Sequence, residues 1–149
     1  MSSDLWSFAT ALYARPGVEA ACLSLQQQGA DVCLLLCAAW LQQQNVVCTP
    51  ERVDALGAIA GPWQQDVVTP IRQLRQGWRE AAAHDKALMA LREQVKVLEL
   101  HAEQQQLKRL QQATSSWPTG EAGGDWLTAV AGQHDRNALE TLRVAATHT

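Results

Sequence analysis

Apolar residues dominate the first third of the chain. Residues 5–41 carry only three charged side chains, Arg15, Glu19 and Asp31, and residues 32–41 are apolar on every side of a predicted helix. A helix that is apolar all round belongs in the interior of a protein. The pattern therefore predicts a central buried helix, with two amphipathic helices before it.

Capping residues and prolines set the boundaries of the predicted N-terminal helices. Asp4 is a suitable N-cap for the first helix, and Pro16 ends that helix because the residue before a proline avoids the α region. A second helix starts at this proline, and Asp31 caps the central helix that follows. Pro50, at a first helical position, opens a fourth helix. We expect Pro62, with the glycine before it, to end that helix.

A helical pattern then continues from Trp63 for about fifty residues. Its apolar positions recur in steps of three and four: Val67, Ile71, Leu74, Trp78, Ala81, and then Leu88, Leu91, Val95, Leu98 and Ala102. Pro70 should kink or divide the segment near its start, and Gly77 is a second weak point. The pattern leaves open whether residues 63–112 form one helix or two hinged pieces.

The end of the chain has a different composition. Residues 1–112 read as a helical bundle domain, and residues 113–124 are rich in Ser, Pro and Gly, which is typical of a linker. Residues 125–149 form a tail with short helices that either docks on the bundle or stays mobile. Trp117 in the linker could anchor a partner or fold back as a lid. The predicted fold class is all-α: an irregular bundle of about four helices, a long polar helix and short C-terminal helices.

The overall charge narrows the classes of function. The chain has 149 residues and a net charge of −3, so it offers no basic field for nucleic acid. The longest apolar run has ten residues, and a membrane helix needs about twenty. No basic segment of a signal peptide precedes Asp4. We therefore expect a cytoplasmic protein that binds neither nucleic acid nor membrane.

Four cysteines and four histidines raise the question of a metal. Cys33 and Cys37 share a helix face, and Cys22 could approach from the neighbouring helix. Free cysteine is also among the most buried residue types, and no C-x-x-C or Glu-x-x-His pair is present. We expect structural cysteines, no metal and no cofactor, with zinc as the weaker alternative. The histidines, His134 among them, are expected to be solvated.

Three arginines form the first candidate site. Arg72, Arg75 and Arg79 are spaced by three and four residues, which places them on one helix face. Guanidinium groups bind carboxylates and phosphates through paired hydrogen bonds. The spacing predicts a surface for an anion or an acidic partner that folding does not need. The alternative is a solvated helix flank.

A leucine-rich stripe forms the second candidate site. Leu88, Leu91, Val95 and Leu98 follow the spacing of a coiled-coil seam, with charged residues beside them. About two heptads are too short for a stable coiled coil without further contacts. The stripe therefore predicts either self-association or a protein partner. Packing inside the monomer is the alternative.

Residues 5–23 contain the motif LW-x-FA-x-x-LYARPGVEAACL, and Trp63, the segment 67–72 and Arg75 follow it. In these residues the sequence resembles a small bacterial family of uncharacterised helical proteins. The resemblance covers roughly residues 4 to 110. The resemblance implies an all-helical, cytoplasmic, bacterial protein, and this family has no assigned activity that could be carried over.

No constellation of catalytic groups appears in the chain, which favours a non-catalytic role. We expect a small cytoplasmic adaptor or regulator that binds another protein. The alternative is a ligand-binding or enzymatic bundle with a pocket between helices, in which Glu19 and the arginines would supply polar contacts. A structural role for Glu19 is also open, in which it pairs with Arg15 at the first turn.

Overall fold

The computed structural model describes residues 4–121, 123–132 and 135–149, in which the regular secondary structure is helical and no strand occurs. The α-helices are Leu5–Tyr13 (α1), Val18–Gln27 (α2), Val32–Gln43 (α3), Pro50–Trp63 (α4), Thr69–Gly77 (α5), Arg79–Ala82 (α6), Lys86–Thr114 (α7), Trp126–Ala131 (α8) and Arg136–Thr147 (α9). A π-helical segment, Gln64–Val68, joins α4 to α5. The all-α prediction is confirmed, but the structure contains more than the four helices expected.

Side-chain caps define most helix starts. The carboxylates of Asp4, Asp31, Asp85 and Asp125 each accept a backbone N–H three residues later, at 2.8–3.2 Å. Such a cap satisfies a donor that has no partner within the helix. The cap at Asp85 starts α7, so the long segment after Trp63 is divided rather than continuous.

The prediction that Pro62 ends the fourth helix was wrong. The chain passes through Pro62 in α4 and continues in the π-helical segment, where the N–H of Thr69 reaches back to the carbonyl of Gln64. A proline removes one hydrogen bond and crowds the preceding turn. The wider π turn takes up an extra residue between Pro62 and Pro70, so the helical path continues despite both prolines.

The core surrounds α3, as the apolar pattern predicted. Residues of α3 are buried on all sides, and α3 packs against α1, α2, α4, α7, α8 and α9. The C-terminal helices belong to this core: Trp126 and Leu142 are fully buried. The indole Nε1 of Trp126 donates to the carbonyl of Val46 at 2.7 Å. The tail therefore docks on the bundle.

A helical hairpin extends from this core. It consists of the π-helical segment, α5, α6 and the first half of α7, and we call it the arm. Its buried apolar residues, Val68, Ala82 and Val95, lie outside the main core cluster. Because α5 packs mainly against α7, the arm has its own small interior. No helix in the described ranges is long and apolar enough to cross a membrane.

Candidate functional site

Two of the three predicted arginines turn into the arm. The Nε of Arg72 lies 3.0 Å from Oε2 of Glu99 on α7, and the Nε of Arg75 pairs with the other oxygen of the same carboxylate. Arg79 is exposed beyond the end of α5, because the turn at Trp78 interrupts the helical spacing. The predicted single arginine face is therefore divided. An anion-binding role for these residues stays a prediction.

The carboxylate of Glu99 holds both guanidiniums in place. Its side chain is only 9% exposed, and burial opposes ionisation. The hydrogen bonds from Arg75 and Arg72 outweigh that effect and hold the pKa of Glu99 below its usual value. The Nε of Arg92 also donates to the carbonyl of Arg75 at 2.9 Å. Sequence spacing did not reveal Glu99, because the pairing depends on how α5 and α7 face each other.

Two further carboxyl groups lie near this ion pair with weaker partners. Arg72 Nη2 lies 3.8 Å from Oε2 of Glu103, and burial together with the charge of Glu99 raises the pKa of Glu103 to about 7. Burial also raises the pKa of Asp31, although Asp31 caps α3 and accepts a hydrogen bond from Nε2 of Gln106 at 2.7 Å. We call Arg72, Arg75, Glu99, Glu103 and Asp31 the charge cluster.

A cavity of about 310 Å³ lies between α1, α2, α3 and α7, and Glu103 forms part of its wall. Trp6, Tyr13 and Cys22 are also among its lining residues. Glu19, the carboxylate that the sequence offered for an interhelical pocket, is exposed and lies outside this lining. The structure therefore places Glu103 where the sequence suggested Glu19.

Arg15 does not form the predicted pair with Glu19. Its guanidinium instead donates to the backbone carbonyl of His148, at the end of α9. The first turn is thus connected to the C-terminal helix rather than to α2. This contact is one of several that hold the tail in place, and it gives Arg15 a structural role.

The predicted stripe on α7 is divided between interior and surface. Val95 is only 9% exposed and Leu88 is half-buried, whereas Leu91 and Leu98 are 50% and 53% exposed. The two exposed leucines belong to a different row, spaced by four and three residues along α7, which we call the open flank: Ala87, Leu91, Gln94, Leu98, His101 and Gln105. Each of these residues is exposed, and none is Lys, Arg, Asp or Glu.

The cysteines lie in or beside the core. Cys22, Cys33 and Cys37 are buried and Cys48 is half-buried, and all four are free thiols. Burial raises the pKa of Cys22 and of Cys37 to about 12, so both thiols stay protonated at neutral pH. Across the ranges that the structure covers, no group of His, Cys, Asp and Glu could hold a metal ion. His134 lies outside those ranges, and the expectation of no metal remains a prediction.

Trp117 acts as a lid on the core. Its ring stacks on Trp126 with centroids 6.0 Å apart and an angle of 17° between the ring planes. The guanidinium of Arg52 lies over the same ring, 5.0 Å from its centroid. Of the two roles that the sequence left open for Trp117, the structure shows the lid.

A comparison with known families decides where the chain belongs. Residues 4–110, most of the chain, match the family described as protein of unknown function, DUF2390. The chain is a member of the DUF2390 family. The match ends within α7, so α8 and α9 lie outside the DUF2390 region although they pack on its core. No curated protein and no solved structure matches the chain.

Proposed function

We propose that the protein acts by binding protein rather than by catalysis, through the open flank of α7. The observation that carries this proposal is the pair of half-exposed leucines, Leu91 and Leu98, seven residues apart on one uncharged row. Exposed large apolar side chains that share a face are typical of interaction sites. The row from Ala87 to Gln105 extends for about 27 Å at 1.5 Å per residue.

The partner we propose for this flank is a second copy of the chain. A two-fold interface brings the same patch of each copy together, so that patch must not repel itself. The open flank meets this requirement because it carries no Lys, Arg, Asp or Glu along its length. Leu91 and Leu98 of one copy would pack on the flank of the other. One helix flank offers less than the ~800 Å² per partner of a standard interface, so we expect weak association.

Sedimentation equilibrium of the full chain at concentrations up to about 1 mM tests this proposal. The wild type should associate reversibly, and a Leu91→Glu, Leu98→Glu variant should stay folded and monomeric. The matched control is Leu74→Glu with Val144→Glu, which changes two exposed apolar residues on other helices. A wild type that is monomeric throughout, or a flank variant that associates as the wild type does, would contradict the proposal.

We also infer that the protein is bacterial and cytoplasmic. This inference rests on the likeness of residues 5–23 to the family motif and on the lack of a long apolar run in the sequence. Fractionation of cells that produce the chain, followed by detection in the soluble and membrane fractions, tests the compartment.

A further inference from the structure

We propose that the cavity between α1, α2, α3 and α7 binds a small organic cation, namely an amine with a compact apolar body. This site is separate from the open flank, and it does not depend on the protein-binding proposal. Its volume of about 310 Å³ lies at the lower end of the range for small-molecule sites, about 300–1,000 Å³.

The walls of the cavity suit the apolar part of such a ligand. Aliphatic surface from α1, α3 and α7 lines the cavity, contributed by Ala9, Val32, Leu36, Leu100 and Leu107. Burial of an apolar body against these side chains is favourable because it removes apolar area from water. Leu100 is half-exposed, so it lies at the opening of the cavity.

Two aromatic rings in the wall suit the charged part. Trp6 and Tyr13 lie about two helical turns apart on α1, and both line the cavity. An ammonium group near the face of an aromatic ring is attracted by the negative charge density of that face. An anionic ligand would gain nothing from these rings.

The charge cluster provides the strongest reason for a cation. It contains two guanidiniums, those of Arg72 and Arg75, and both are used mainly by Glu99. With Glu103 and Asp31 added to Glu99, the cluster has three acidic side chains and two basic ones. Glu103 is the one that reaches the cavity wall, and its nearest guanidinium nitrogen is 3.8 Å away. A cation in the cavity would compensate this excess of acidic groups. Charge that is buried without a partner is energetically costly.

The other titratable side chains that line the cavity are Tyr13, Cys22 and Cys33. Burial raises the pKa of Tyr13 and that of Cys22 to about 12, so both side chains are neutral at pH 7. The buried thiol of Cys33 has a raised pKa as well. Glu103, whose pKa is about 7, is therefore the lining side chain that can present negative charge, and a bound cation would favour its ionised form.

Isothermal titration calorimetry of the full chain with benzylamine tests the proposal, and benzyl alcohol serves as the neutral ligand of the same shape. Benzylamine should bind and benzyl alcohol should bind at least about tenfold more weakly. Glu103→Gln should weaken benzylamine binding about tenfold or more. The control Glu93→Gln, on the exposed side of α7, should leave it unchanged.

A second variant covers the case in which Glu103→Gln alters folding. Leu100→Trp fills the opening of the cavity while it keeps every charge, and circular dichroism reports whether its helices are intact. This variant should also lose benzylamine binding. No binding by the wild type at about 10 mM ligand, equal binding of the alcohol and the amine, or full binding by folded Glu103→Gln would each overturn the proposal.

Discussion

The core around α3 and the arm are held together by different forces. Within the core, apolar side chains from six α-helices surround α3, including those of the C-terminal tail. Inside the arm, the buried apolar residues are few, and a carboxylate on α7 holds two guanidiniums on α5. Apolar packing is lost in a cooperative way, whereas a small polar interior can open by itself. The arm should therefore be the first part of the molecule to open.

The largest effect should come from the core. Leu35 on α3 is 1% exposed, so Leu35→Ala removes buried surface and leaves a cavity. We expect the free energy of unfolding to fall by about 3 kcal/mol, within the usual range for such a change. Urea denaturation monitored by circular dichroism measures it. A loss below about 1 kcal/mol would show that α3 is not the centre of stability.

The next largest effect should come from the arm. Glu99→Gln removes the charge that holds Arg72 and Arg75, and we expect a loss of about 2 kcal/mol, because breaking a partly buried ion pair leaves charge uncompensated. Hydrogen exchange should show faster exchange in α5 and the first half of α7 with little change in α3. Equal acceleration in α3 would mean that the arm and the core unfold as one unit. The control Glu93→Gln removes an exposed partner of Lys96 and should have little effect.

The free energy of unfolding should also depend on pH, through the carboxyl group of Glu103. The pKa of Glu103 is raised from 4.5 to about 7, so the folded state binds more protons than the unfolded state between these values. The free energy of unfolding should then fall as the pH rises from about 4.5 to 7, by about 1–2 kcal/mol. The raised pKa of Asp31 acts in the same direction, and the lowered pKa of Glu99 acts only at lower pH.

Glu103→Gln provides the check on this pH effect. Thermal melts of the wild type and the variant at about pH 5.5 and at about pH 7.5 give the pH dependence of each melting temperature. The variant should melt higher than the wild type at the upper pH and should show a flatter dependence. An unchanged slope would exclude Glu103 as the titrating group. The charged groups around it are Arg72, Arg75, Glu99 and Asp31.

The smallest effect should come from the open flank. Leu98 is 53% exposed, so Leu98→Glu should change the stability of the monomer by less than about 0.5 kcal/mol. Val95, three residues earlier, is buried in the arm, and Val95→Glu should destabilise the arm strongly. Similar denaturation midpoints for the two variants would show that the interior and the flank of α7 are not distinct.

The sequence predicted the core better than the arm for a physical reason. A helix that is apolar all round, such as residues 32–41, is stable only in the interior of the protein. N-caps such as Asp4 and Asp31 bond to backbone groups only a few residues away, so the local sequence shows them. The ion pair of Arg72 with Glu99 joins residues that are 27 positions apart in the sequence, and it depends on how α5 and α7 face each other. Spacing along one helix cannot show such a pairing.

The interruption of the long segment illustrates the same limit. Gly77 was identified as a weak point, and α5 does end there. Sequence pattern nevertheless placed Leu74 in the apolar row, and the structure leaves it exposed while Arg72 and Arg75 face α7. Apolar periodicity favours leucine for the buried face, but here the charge pairing across the hairpin determines which face of α5 turns inward.

The docked tail has a consequence for anyone who shortens the chain. The DUF2390 match stops at residue 110, but α8 and α9 cover apolar surface of α2 and α3 beyond it. A fragment cut at the family boundary would expose to water the apolar surface that Trp126 and Leu142 cover, and it would tend to aggregate. The segment that matches the family is therefore shorter than the segment that must be expressed to keep the core covered.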